Sequence, residues 1–185
     1  MVRRVSAVIF LVIWGGAVQA VEICDELWFT RNLVFDHAGN CFQSPLGQAI
    51  FDNSDCTVTG AEPDPSEAGI VAQVREMEAK WACAMDTTRT SLRIPNIAAR
   101  MRMIDLPVAI GFERSCIGYR GPEIALHTGR HQDAPVSGVL RAGDDIQYRF
   151  IPVDGWTFVD LDRGDEMGWA VIPEIPDLPC DGVAG

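Results

Sequence analysis

The sequence predicts an α+β protein: a small helical, disulfide-braced N-terminal domain followed by a small antiparallel β-barrel. Three observations carry this expectation. Apolar residues recur at spacings of three and four from Ile70 to Met85, the period of one helix face. Beyond Ile110, short apolar stretches alternate with Gly, Pro and Asp, as in a small all-β unit. Six cysteines, an even number, follow a leader-like N-terminus and read as a disulfide framework.

The N-terminus reads as a signal peptide over residues 1–20. Arg3 and Arg4 supply the positive charge, Val5 to Ile13 the apolar run, and Val18-Gln19-Ala20 a small-residue cleavage site before Val21. The apolar run is shorter than the roughly 20 residues a membrane span needs. The expected product is periplasmic or secreted, with no stable membrane insertion after cleavage. Of 185 residues 48% are apolar, and the net charge is −11. Such an acidic chain lacks the clustered Lys and Arg that phosphate contacts require, so nucleic acid is excluded as a partner.

The helical domain is placed at residues 21–86. Asp25 is read as the N-cap of a helix to Phe35 that carries Leu27, Trp28, Leu33 and Val34, with Gly39 and Asn40 as its stop. Ser44-Pro45 opens a second, short helix. Asp64-Pro65-Ser66-Glu67 gives a cap, a proline and an acid three residues after the cap; it should start the helix that carries Ile70, Val71, Val74, Met77, Trp81 and Met85. Residues 87–109, rich in Arg and Met, show no clean period and read as a linker with one short helix or strand.

Residues 110–185 form the β domain. Candidate strands are Ile124–Leu126, Ser137–Leu140, Asp145–Phe150, Trp156–Asp160 and Gly168–Val171. Turns fall at Thr128–Gly129, Ala142–Gly143–Asp144, Asp154–Gly155 and Arg163–Gly164, and Pro173, Pro176 and Pro179 lead into Cys180. Cys24, Cys41, Cys56 and Cys83 lie in the first half; Cys116 and Cys180 lie in the second. Six cysteines allow fifteen connectivities. Pairing within halves gives Cys116–Cys180, worth about 4 kcal/mol by loop-closure entropy.

Two stretches resemble known families. Ile124-Ala125-Leu126-His127-Thr128-Gly129, Ala134-Pro135-Val136-Ser137-Gly138-Val139-Leu140, Gly143, Gly155-Trp156-Thr157-Phe158-Val159 and Gly168-Trp169-Ala170-Val171 resemble the bacterial SH3-like domain, with His127 where that family usually has Arg. Leu27-Trp28-Phe29-Thr30-Arg31-Asn32, Val34 to Phe42 and Phe51 resemble the YARHG domain, an extracytoplasmic module. Its name-giving motif is degenerate here: Phe35, Asp36, His37 and Ala38 replace the first four letters, and Gly39 remains. This module order is similar to an alphaproteobacterial group of exported proteins without an assigned function. The resemblance implies an SH3-like β-barrel and an association with the envelope.

No catalytic residue is assigned. Gly-x-Ser-x-Gly, phosphate-loop and dinucleotide patterns are absent, and no cofactor is expected. His127 and His131 are four apart, but Thr128-Gly129-Arg130 between them marks a turn and no third ligand follows, so they read as surface histidines and not as a metal site. Asp160 to Asp165 misses calcium-loop spacing and reads as a solvated hairpin tip. Trp169, Trp28 and Trp81 read as core. Candidate ligand-binding residues are Tyr148 and Trp156, one of which strand alternation can turn outward, with Arg31 and His37; for Arg31 and Asn32 the favoured reading is structural, an acid partner and a backbone contact.

The function expected is that of an exported, non-enzymatic binding or scaffolding protein of the envelope, with peptidoglycan or a protein as partner. The alternatives are an envelope-acting hydrolase with its site around Arg31, His37 and Asn40, and a peptide-binding SH3-like module with a groove around Tyr148 and Trp156.

Overall fold

The computed structural model describes residues 16–161, 163–173 and 177–185. The signal-peptide reading falls largely on residues 1–15, outside the described residues, as do Asp162 of the hairpin tip and Pro176. Four helices precede seven strands: α1 Gly16–His37, α2 Pro45–Ile50, α3 Ala68–Lys80, α4 Ile97–Arg100, β1 Ala109–Tyr119, β2 Ile124–His127, β3 Val136–Leu140, β4 Ile146–Phe150, β5 Thr157–Leu161, β6 Met167–Ala170 and β7 Cys180–Ala184. No helix among the described residues is long and apolar enough to cross a membrane.

Local chemistry explains the helix ends. Gly39 takes φ +78° after α1, and a Cβ there would meet Thr57 Oγ1 at 2.6 Å, so the chain turns where only glycine fits. The Gly39 carbonyl accepts from the amides of Thr57 and Val58, next to the Cys41–Cys56 disulfide. Ser44 Oγ caps α2 by accepting from the Gly47 amide. Asp64 does not cap α3. Its carboxylate closes a turn on Ser66, and the helix starts one turn later, at Ala68. Asp25 also departs from expectation: α1 begins upstream, so Asp25 lies inside the helix, fully buried, where it accepts from Arg89 and from the Arg93 amide.

The sheet is antiparallel, in the order β3-β2-β6-β5-β4-β1-β7. It is open: β3 and β7 are its edges, and the closed barrel predicted from the strand count is not shown. The five predicted strands form within a residue or so of their expected bounds, but β1 and β7 were missed. β1 is the longest strand, yet it carries a bulge between Ala109 and Arg114 and no simple alternation. Asp154 and Gly155, both at positive φ, make the tight turn before β5, and Val153 and Trp156 exchange both backbone hydrogen bonds across it.

Disulfides join Cys24–Cys83, Cys41–Cys56 and Cys116–Cys180, so each bridge stays within its own half. One hydrophobic core does not. The helical core of Leu27, Phe29, Leu33, Leu46, Phe51 and Val74 continues through Ile94, Ala99, Met103 and Leu106 onto Phe150, Phe158, Met167 and Trp169 of the sheet. The segment read as a linker is therefore packed between the two halves. Trp169 ties it down by donating from Nε1 to the Asp105 carbonyl at 2.7 Å. A second core, with Leu126, Leu140, Ile146, Val159 and Leu161, lies on the sheet's other side. β5 is buried along its whole length because it separates the two cores.

Gly111 stands at the β1 bulge with φ +77°, and a Cβ there would meet the Trp81 ring at 2.3 Å. Gly111→Ala should cost about 2–3 kcal/mol by urea denaturation, from backbone strain plus overlap. Gly143→Ala, also at positive φ but facing open space, should cost about 1 kcal/mol. The hairpin tips are pinned by Arg163, which bonds Asp144 and Glu166. Burial raises the Asp144 pKa, but hydrogen bonds from Arg163 and the Arg141 amide outweigh it and hold the group below the ordinary value. The Val139 amide, with Arg163, does the same for Glu166. Both groups thus stabilise the fold above the unfolded carboxylate pKa, and the contribution is lost as pH falls through the lowered values. The urea midpoint should drop between about pH 5 and pH 2, with a shallower slope in Arg163→Ala.

Candidate functional site

The residues singled out in the helical half serve structure and do not converge. Arg31 forks onto Glu78 of α3, with Nε 3.1 Å from both carboxylate oxygens. Asn32 donates to the Trp28 carbonyl one helical turn earlier, at 2.7 Å. Phe42 stacks on Phe51 with ring centroids 4.6 Å apart. His37 Nδ1 lies 3.2 Å from Glu67 Oε1, and Asn40 Oδ1 accepts from the amides of Gly60 and Ala61. Arg31, His37 and Asn40 thus face three different partners.

In the sheet, His127 corrects its sequence reading: it is buried, with Nδ1 2.8 Å from the Ala134 carbonyl. A carbonyl only accepts, so Nδ1 carries the proton. His131 is exposed, as expected. Asp160 is likewise buried and not solvated at a tip. Among the described residues no group of three His, Cys, Asp or Glu side chains could hold a metal ion. Tyr148 and Trp156, both half-buried, are not brought together. Trp156 meets the His127 ring edge-on at 6.3 Å. Tyr148 instead lines an apolar cleft of about 310 Å³ with Ile110, Phe112, Phe150 and Pro152.

The densest chemistry was not foreseen. Glu22, Glu26 and Thr30 follow at intervals of four along α1 and share a face. That face meets Arg100 of α4 and Arg149 of β4. Arg100 Nη1 donates to Glu26 Oε2, and Nη2 lies 3.2 Å from Thr30 Oγ1, which in turn donates to the Pro107 carbonyl. The Arg100 guanidinium lies 5.1 Å from the centre of the Phe29 ring and 5.4 Å from that of Phe150. Arg149 pairs with Asp160 at 2.5 Å and approaches Glu26 Oε1 at 3.5 Å. Burial and the nearby Arg149 charge lower the Arg100 pKa to about 9, so it stays charged at neutral pH.

Above this network opens a polar cleft of about 300 Å³, between the start of α1, residues 93–95 and the bulged part of β1. Its lining includes Glu22, Glu26, Arg93, Phe112, Glu113 and Arg149. Glu26 Oε1, Arg100 Nε and Arg149 Nε are buried without a hydrogen-bond partner. The one sequence signal for this site was Arg100, which with Arg102 interrupts the apolar run Ile97 to Ile104; of the two only Arg100 is buried. Arg149 gave no signal, because alternation along a strand cannot tell which face a second layer will cover.

Glu26→Ala should cost about 3–5 kcal/mol in denaturant titrations, since it leaves the buried Arg100 guanidinium without its carboxylate partner. Arg31→Ala, which breaks a partly exposed pair, should cost under about 1 kcal/mol.

Residues 17–87 match the YARHG domain, and residues 82–185 match a family described as a domain of unknown function, DUF4453. The region that resembled an SH3-like domain thus falls in DUF4453. No curated protein and no solved structure shows a significant match. The disulfides and the YARHG domain point to an extracellular or periplasmic protein. With more than half its length in the second match, the chain belongs to the DUF4453 family, its domain preceded here by a YARHG domain.

Proposed function

We propose that this is an exported, non-enzymatic binding or scaffolding protein of the cell envelope, with peptidoglycan or an envelope protein as its partner. The observation that carries the proposal is where the charged side chains go. Arg31, Arg89, Arg100 and Arg149 are each paired with a carboxylate from another part of the chain. Charges used in this way make a stiff two-module body and leave its clefts as the places to bind. Three disulfides suit such a body to an oxidising compartment. The hydrolase alternative loses support, because Arg31, His37 and Asn40 engage separate partners.

The peptide-binding alternative keeps one specific support. The cleft of Phe112, Tyr148, Phe150 and Pro152 is apolar and of ligand size, and an SH3-like use of the curled sheet would place a peptide there. Trp156 is not part of it.

The exported protein should begin at Val21 by N-terminal sequencing. It should also pellet with purified sacculi at low and moderate salt. No retention at either salt removes the peptidoglycan version and leaves the protein partner, to be sought by crosslinking in intact cells.

A further inference from the structure

We propose that the cleft between α1 and β1 binds a small zwitterion, a molecule of amino-acid or short-peptide size with a primary ammonium and a carboxylate. The proposal deepens the envelope-binding reading and rests on it for where such a ligand would be met.

The floor of the cleft is electrically unfinished. The Glu26 side chain is 6% exposed. One of its oxygens holds Arg100, while the other has no hydrogen-bond donor. Arg149 beside it has a buried Nε without an acceptor. An acceptor whose nearest cation, Arg149 Nη1, stands off at 3.5 Å without a hydrogen bond and a donor without an acceptor therefore share one cavity wall, and a buried polar group short of a hydrogen bond is costly. The surroundings select the ligand's charges. Glu22 and Glu113 add two carboxylates to the lining, and Arg93 adds one guanidinium. Among the described residues no hydrogen bond or ion pair engages the Arg93 guanidinium; only its backbone amide is engaged, by Asp25. Counting Arg100 and Asp160 just behind the wall, four carboxylates face three guanidinium groups. The excess is negative, which favours a ligand cation. Arg93 at the rim offers that ligand's carboxylate a forked partner.

Phe112 supplies the apolar side. It is 60% exposed because the bulge at Gly111 turns it away from the core, and its ring already accepts the Lys80 ammonium at 5.7 Å. The volume of about 300 Å³ suits a small ligand. A neutral sugar would leave the charges of the lining unanswered, and a simple anion would meet the excess of carboxylates.

The test is titration calorimetry on the exported, disulfide-bonded protein, with L-lysine, L-lysinamide, glutarate and N-acetylglucosamine as probes. L-lysine should bind. Glutarate, which lacks the ammonium, should bind at least about tenfold more weakly. Glu113→Gln should weaken lysine and lysinamide alike. Arg93→Gln should weaken lysine to the level of lysinamide and leave lysinamide unchanged, a pattern that general loosening would not give. Both side chains are exposed, so both variants should melt with the wild type. No lysine binding up to about 10 mM, or glutarate or the sugar binding as tightly as lysine, or lysine affinity unchanged in both variants, would overturn the proposal. Sacculus retention separates the two readings. Lysine binding without retention upholds the cleft and removes the peptidoglycan partner; retention without lysine binding overturns the cleft and upholds that partner.

Discussion

The Glu26 carboxylate joins three parts of the chain that are distant in sequence. It sits on α1, accepts from Arg100 in the short helix before the sheet, and faces Arg149 on β4. All three side chains are largely removed from water. A buried charge is tolerated only where its partner is close and held. This requirement fixes the helix at one height and rotation over the sheet, and it draws residues 94–106 into the gap between them. Phe29 and Phe150 then close over Arg100 from either side. The polar cleft lies where this packing ends.

Covalent and non-covalent ties divide the work. Each disulfide closes a loop inside its own half, and the unfolded ensemble of each half is narrowed accordingly. Nothing covalent besides the main chain joins the halves among the described residues. Their junction depends on the shared apolar core, the Trp169 bond to the Asp105 carbonyl, and the Glu26 network. Reduction would therefore act first on the internal order of each half. Loss of the buried charges would act on the junction, and with it on the shape of the cleft.

Much of the local structure was legible in the residues. Ser44-Pro45 caps a helix because its hydroxyl and fixed φ suit that position, and Asp154-Gly155 turns a hairpin because both residues tolerate positive φ. The Arg31 and Asn32 frame could be read as structural, and it is. The failures have physical causes too. Asp25 has the chemistry of a cap, but a buried acid can serve a distant arginine equally well. β1 escaped notice because its bulge breaks the period of two just where Gly111 makes room for Trp81. Tyr148 and Trp156 looked like one groove, yet they lie in different surroundings because the Tyr148 side chain packs against one core and that of Trp156 against the other.

By itself the sequence determined the α+β order, the positions of most helices and strands, the pairing of Cys116 with Cys180 favoured by grouping, and the disulfide-bearing character of the chain. These follow from side-chain period, turn chemistry and cysteine count, all of which act over a few residues or over composition. The tertiary structure alone decided that the sheet stays open, that residues 94–106 are packed between the halves, and that Glu26, Arg100, Arg149 and Asp160 share one buried site. Those outcomes depend on which faces meet when two layers pack. Burial then sets the energy of each charge, and that energy is a property of the assembled layers and not of any local stretch of chain.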